Sequence, residues 1–290
     1  MRCFHIYRSS SQTIIIMRTA VLLFQLAFLL TKLLSVSPLH AQASVKKAGK
    51  WVNHNHYSVA NAHSHNDYQQ AHPFTTAYNA MFGSMEADIF LDHDSLYVGH
   101  IKSDIALHRT LTSMYLDSLL SHVNQNNGFP YADKNRNLQL LIDLKTDGVP
   151  TLAALIKLLK NYPAIIHSDK IKVVITGNRP AFKDWNTYPS FIWFDGNIGT
   201  TYPADVLPKI AMMSGDFATF IKWDGKSPIS AEDSLKIATT VSSVHAQGKK
   251  IRFWDAPDVE NAWSQLKDWH VDWINTDHIN ELANYLLPRR

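Results

Sequence analysis

The run Leu138-Gln-Leu-Leu-Ile-Asp-Leu144 is apolar except at Gln139 and Asp143. A short, nearly continuous apolar run without glycine or proline reads as a strand buried on both faces, as in a parallel sheet covered by helices. Working outward, comparable runs lie at Tyr57–Ala62, Ser84–Leu91, Lys172–Thr176, Phe191–Phe194, Ala218–Ile221, Lys250–Trp254 and Trp273–Asn275. Helical patterns separate them at Phe74–Met81, Ser113–Asn126, Thr151–Asn161, Ala181–Trp185, Ala204–Met213, Ala231–Gln247 and Val259–Asp268, and Ile279–Leu287 closes the chain. Strands alternating with helices make an α/β protein, and eight such strands are what a closed (β/α)8 TIM barrel requires. The rival is an open doubly wound sheet, in which a glycine-rich phosphate cradle follows the first strand. Here His63-Ser-His-Asn-Asp67 stands in that place, which favours the barrel.

The flanks set the domain limits. Arg18 precedes an apolar stretch from Ala20 to Val36, and Ala41-Gln-Ala43 has the small-x-small pattern of a signal-peptidase site. The expected organisation is a signal peptide over residues 1–43, with Met1 or Met17 as its start, a polar lead-in over 44–56 and a single barrel domain over 57–290. Removing residues 1–43 changes the balance of basic to acidic residues from 28 against 25 to 24 against 25. The apparent basicity therefore belongs to the leader, and neither nucleic acid nor an anionic membrane is an expected partner. The one cysteine, Cys3, leaves with the leader, so disulfides, thiolate ligands and lipid attachment through cysteine are excluded from the mature chain. The expectation is an exported protein, periplasmic or secreted, with no stable membrane anchor after cleavage.

Acidic and basic residues fall at the strand ends, where barrel enzymes carry their chemistry. In Ser84-Met-Glu-Ala-Asp-Ile-Phe-Leu91, strand alternation points Glu86 and Asp88 to the same face. Buried carboxylates need a partner or a metal, and Asp143 with Lys145 ends the neighbouring buried run. Three carboxylates suit a hard divalent cation, histidines suit proton transfer and a lysine suits an anionic substrate. The histidines are His63 and His65 in Ala62-His-Ser-His-Asn-Asp-Tyr68 and His100 after Leu96-Tyr-Val-Gly99. Asn66 can donate to a phosphate from the strand-end loop, and Trp254 is the tryptophan best placed to wall a pocket, although buried tryptophans are more often core. His63-x-His65 also fits a metal-dependent amidohydrolase, with Asp277 after the last strand, but no histidine follows Trp193-Phe-Asp195 at the fifth.

Taken together, these residues resemble the glycerophosphodiester phosphodiesterase superfamily, which includes phosphatidylinositol-specific phospholipases C and toxin phospholipases D. Glu86-Ala-Asp88, Val98-Gly-His100, Arg109-Thr-Leu111 and Ile274-Asn-Thr-Asp277 carry the likeness alongside the histidine run, and its altered-inheritance-of-mitochondria branch is the most similar. The resemblance implies a TIM barrel and a metal-dependent phosphodiesterase acting on a glycerophosphodiester or a lipid headgroup. It implies that Glu86, Asp88 and Asp143 hold one Mg²⁺ or Ca²⁺ and that His63 and His100 form the acid/base pair. Lys145, His65, Asn66 and Trp254 would contact the substrate. The sequence departs from the family's His-Arg-Gly at His63-Ser-His65 and from its His-Asp at His100-Ile101. An amidohydrolase-like enzyme and a barrel that only binds its ligand stand as alternatives.

Overall fold

The structure is a computed structural model, and it describes residues 57–287. The expected leader and lead-in lie outside the described residues. Nine strands form one sheet: β1 (Ala62–Ser64), β2 (Ser84–Asp92), β3 (Ser95–Val98), β4 (Leu138–Leu144), β5 (Ile171–Gly177), β6 (Ile192–Asn197), β7 (Ile210–Asp216), β8 (Lys250–Trp254) and β9 (Ile274–Thr276). The path runs β8-β7-β6-β5-β4-β2-β1-β9 with every neighbouring pair parallel, and β3 folds back antiparallel on the end of β2. A parallel bridge between Arg252 and Trp273 joins the two outer strands, and the Trp273 amide donates to the Ile251 carbonyl at 3.1 Å. The sheet is thus a nearly closed eight-stranded parallel barrel, as the alternation of elements predicts.

Register explains both cores. Asp88, Asp143 and Thr176 are lateral partners on β2, β4 and β5, and Glu86, Leu141 and Val174 are partners one layer deeper. Laterally paired residues share a face, so each set forms one layer inside the barrel. Leu141 and Val174 join Met212 and Trp273 in a small apolar plug within it. The alternate residues Met85, Ala87, Ile89, Leu140, Ile142 and Leu144 face outward and are buried in the main core beneath the helices. Each large apolar side chain so buried contributes about 1.5–3 kcal/mol. The helix Ala231–His245 is set by Ser230, whose side chain accepts from the Asp233 amide at 3.0 Å, and by Glu232 and Asp233 in its first turn. No helix among the described residues is long and apolar enough to cross a membrane.

Three expectations are corrected. The strand expected at Ala218–Ile221 is instead β7 at Ile210–Asp216, and Phe217–Phe220 is a short helix that Asp216 caps through the Ala218 amide at 2.9 Å. The helix expected at Ala204–Met213 is absent, because Pro208 interrupts it in a 3-10 turn (Leu207–Lys209) and Ile210, Met212 and Met213 are buried in the sheet. Burial there overrides the helix preference of Ala and Met. The first strand begins at Ala62, later than the expected Tyr57, because Ser58 caps a 3-10 turn over Val59–Asn61. That delay places His63 inside the strand and makes His65 the first residue beyond it.

Candidate active site

A cavity of about 640 Å³ opens at the carboxyl end of the barrel. One wall presents His65, Asn66, Glu86, His100, Asp143 and Lys145; the facing wall is partly apolar, with Ile198, Phe220 and Trp254. Trp254 is 41% exposed, which suits a pocket wall more than a core residue. Of the residues expected from sequence, only His63 and Asp88 are missing from the lining.

His63 is fully buried. Its Nδ1 lies 2.7 Å from Ser84 Oγ, and its Nε2 lies 2.8 Å from Glu86 Oε2 and 2.7 Å from Arg252 Nη1. Arg252 in turn donates to Glu86 Oε2 at 2.7 Å. Burial and then the Arg252 charge lower the His63 pKa to about 4, so its ring is neutral near pH 7. Burial works to raise Glu86, yet the Arg252 charge and the His63 hydrogen bond outweigh it and hold the carboxyl below its usual range. The expected acid/base histidine is thus built into the support of Glu86 and has no face on the cavity.

His65 does face the cavity. Its Nδ1 lies 2.9 Å from Asp277 Oδ1. Burial disfavours its charged form, but the Asp277 hydrogen bond and the Glu86 charge outweigh that and raise its pKa. His100 Nδ1 sits 3.0 Å from the Tyr68 hydroxyl, which also lies 2.8 Å from Asp88 Oδ2 and 2.7 Å from Asn66 Oδ1. Tyr68 therefore ties the histidine, the carboxylate and the loop asparagine to one atom. Asn66 adopts the left-handed conformation with φ 43°. The loop is anchored by the fully buried Asp67, which accepts from Ser64 Oγ at 2.7 Å, the Phe74 amide at 2.6 Å and Tyr115 Oη at 3.0 Å.

Glu86, Asp88 and Asp143 each offer an oxygen within 4.8 Å of the others. Lys145 Nζ lies 2.8 Å from Asp88 Oδ2 and 2.9 Å from Asp143 Oδ2, while Asp88 Oδ1 and Asp143 Oδ1 are buried without a hydrogen-bond partner. Burial, then the charges of Glu86 and Asp143, raise the Asp88 pKa to about 7. Two orphaned carboxylate oxygens beside a third carboxylate are what a hard cation site leaves when it is described by protein atoms alone, so the donor set fits a divalent ion.

With this geometry in hand, the comparisons are specific. Residues 54–187 match the family model of the AIM6-like phosphodiesterase domain. An altered inheritance of mitochondria protein 6 homolog from Arthroderma benhamiae is 26% identical, covering 77% of this chain and 82% of that protein. The altered inheritance of mitochondria protein 6 of Lachancea thermotolerans is 28% identical, covering 78% and 65%. Among solved structures, a glycerophosphodiester phosphodiesterase from Parabacteroides distasonis is 14% identical with a TM-score of 0.49, covering 78% of this chain and 96% of that one. A phosphodiesterase of Oleispira antarctica in complex with the product sn-glycerol-3-phosphate gives the same four figures. The AIM6-like match contains His63, His65, Glu86, Asp88, His100, Asp143 and Lys145, whereas Arg252, Trp254 and Asp277 lie beyond it.

Sequence reasoning missed three groups in the site and its surroundings. Arg252 reads as an ordinary residue of a late strand, although an arginine between Ile251 and Phe253 in a strand is a signal of a buried partner. Tyr68 was visible in the motif but not as a hub. Asp195 is fully buried on β6, its Oδ2 accepting from Thr176 Oγ1 at 3.0 Å and from Ser214 Oγ, and burial raises its pKa.

Proposed function

We propose that this protein is an exported, metal-dependent phosphodiesterase acting on a small glycerophosphodiester or a lipid headgroup. The observation that carries the reading is the carboxylate cluster, with its two orphaned oxygens, in a cavity that also holds two histidines. Lys145 and Arg252 are each bound to the cluster's own carboxylates, which leaves neither free to neutralise a phosphodiester; a divalent ion would supply that charge. When bound by Glu86, Asp88 and Asp143, such an ion supplies charge neutralisation at a phosphate oxygen.

The remaining steps belong to the chain's own groups. His65, held by Asp277 through Nδ1, is charged over a wider pH range than a free histidine and is suited to protonate the leaving alcohol. His100, held by Tyr68, then removes the proton from the attacking hydroxyl or water. Each role is worth about 10²–10⁴-fold. His63 and Arg252 keep Glu86 ionised and oriented. This exchanges the roles that the motif suggests for His63 and His65, on the ground that only His65 reaches the cavity. The amidohydrolase alternative has no support from the geometry, because both His63 nitrogens are engaged with Ser84, Glu86 and Arg252. Export rests on the leader in residues 1–43; secretion of the full chain with loss of that segment checks it.

Turnover of a panel of glycerophosphodiesters and headgroup phosphodiesters, with and without chelator, tests the activity. The expected result is cleavage lost on chelation and restored by Mg²⁺ or Ca²⁺. Absence of turnover across the panel would leave a barrel that only binds.

A further inference from the structure

Besides its histidines, the cavity is lined by three basic side chains, and two are already committed. Lys145 is shared between Asp88 and Asp143, and Arg252 is paired with Glu86 while only 3% exposed. Arg179 differs. Among the described residues no carboxylate lies within ion-pair distance of it; its Nη2 donates to Asn197 Oδ1 at 2.7 Å, and its Nη1 has no partner. A shielded donor left without an acceptor is costly to keep, and a guanidinium offers a planar fork matched to phosphate oxygens.

The backbone that presents Arg179 is tied to the carboxylate cluster. Gly177 has φ +70°, and a Cβ there would stand 1.9 Å from Asp143 Oδ1, so the chain can cross over Asp143 only as glycine. The Asn178 amide then donates to the Leu144 carbonyl at 2.9 Å, and the Arg179 amide closes back on the Gly177 carbonyl at 2.7 Å. Gly148 gives room on the other side, since a Cβ there would meet the Asn178 carbonyl oxygen at 1.7 Å. Beyond the turn, Trp185 Nε1 donates to the Pro180 carbonyl at 2.9 Å. The segment that carries Arg179 is therefore fixed relative to Asp143 at both ends of the turn.

We propose that Arg179 grips the phosphate of the substrate, that Asn197 positions it, and that Lys145 serves to balance Asp88 and Asp143. The inference deepens the phosphodiesterase reading and rests on it for the identity of the anion. It assigns the anion-binding role to the one lining arginine or lysine that no carboxylate pairs directly.

Calorimetric titration of inorganic phosphate into the full chain in Mg²⁺ separates the candidates without needing turnover. Arg179→Met should weaken phosphate binding at least about tenfold, and Lys145→Met should weaken it less. Arg179→Lys should recover part of the loss, since lysine keeps the charge but not the fork. Asn197→Asp keeps an acceptor for Nη2 but cancels the arginine's charge, and should weaken phosphate nearly as much as Arg179→Met; a purely structural asparagine would not respond this way. With a phosphodiester, Arg179→Met should raise KM more than it lowers kcat. Should the Met variant fail to fold by circular dichroism, Arg179→Lys and Asn197→Asp decide the matter. Unchanged phosphate binding in the variants, a larger loss in Lys145→Met, or a wild type that binds no phosphate would overturn the proposal. If wild type binds phosphate through Arg179 but cleaves no phosphodiester, the activity reading fails and the arginine assignment stands.

Discussion

The same strands carry opposite electrostatics at the two ends of the barrel. Along β8 the inward positions are Lys250, Arg252 and Trp254, and along β5 they include Lys172 and Thr176. At the amino end, Lys250 Nζ lies 4.2 Å from the Trp273 ring centroid and Lys172 Nζ 4.2 Å from that of Trp193. Burial lowers the pKa of both lysines. At the carboxyl end the charges meet one another directly, in the His63–Glu86–Arg252 and Asp88–Lys145–Asp143 groups. Aromatic faces accept a cation without demanding exact placement, whereas paired charges fix atoms to within a hydrogen-bond length. The amino end is thus built for stability, and the carboxyl end for the ion and substrate that we propose it holds.

The comparison breaks first if the paired charges prove dispensable. Arg252→Met leaves Glu86 and His63 buried without their cation and should cost about 3–5 kcal/mol in chemical denaturation. An equal cost from Lys250→Met would erase the distinction between the ends. Next in size, Asp143→Asn should lower kcat/KM about 10²–10³-fold with the fold retained, read by steady-state kinetics beside circular dichroism. Asp143 is a cleaner probe than Glu86: the motif alone suggests that Glu86→Gln spares the fold, but Glu86 also anchors Arg252 and His63.

The barrel and its carboxylates were legible because they follow short-range rules. Nearly continuous apolar runs mark β2 and β4, and Glu86, Asp88 and Asp143 interrupt them on one face. What was not legible depended on where strands begin and on contacts distant in sequence. His63 and His65 stand two apart and so share a face, and the point at which β1 ends decides which of them reaches the cavity; nothing near either residue announces the 3-10 turn that delays β1. Arg252 meets Glu86 across 166 residues, and no local pattern reports such a pair. β7 was missed because Met and Ala favour helices until burial decides otherwise.

Smaller effects sharpen the contrast. Asp277→Asn removes the partner that raises the His65 pKa. With His65 acting as the acid, activity falls as pH rises through its pKa, so this alkaline limb should move to lower pH in the variant. By the same sign, the pairing contributes stability fully below the unfolded pKa of about 6.5 and loses it as pH rises through the folded value. Smallest of all, Lys172→Met should leave kcat/KM within about twofold and change stability by no more than about 1 kcal/mol, since it exchanges one cation–π contact for apolar cover.

The central claim is that Glu86, Asp88 and Asp143 together hold one divalent ion at the carboxyl end of the barrel. Anomalous diffraction from crystals of the protein soaked in Mn²⁺ tests it most directly. The account predicts a single strong peak within coordinating distance of all three carboxylates in wild type and its loss in Asp88→Asn. A peak on His63 and His65, or none near the carboxylates at saturating ion, would contradict it.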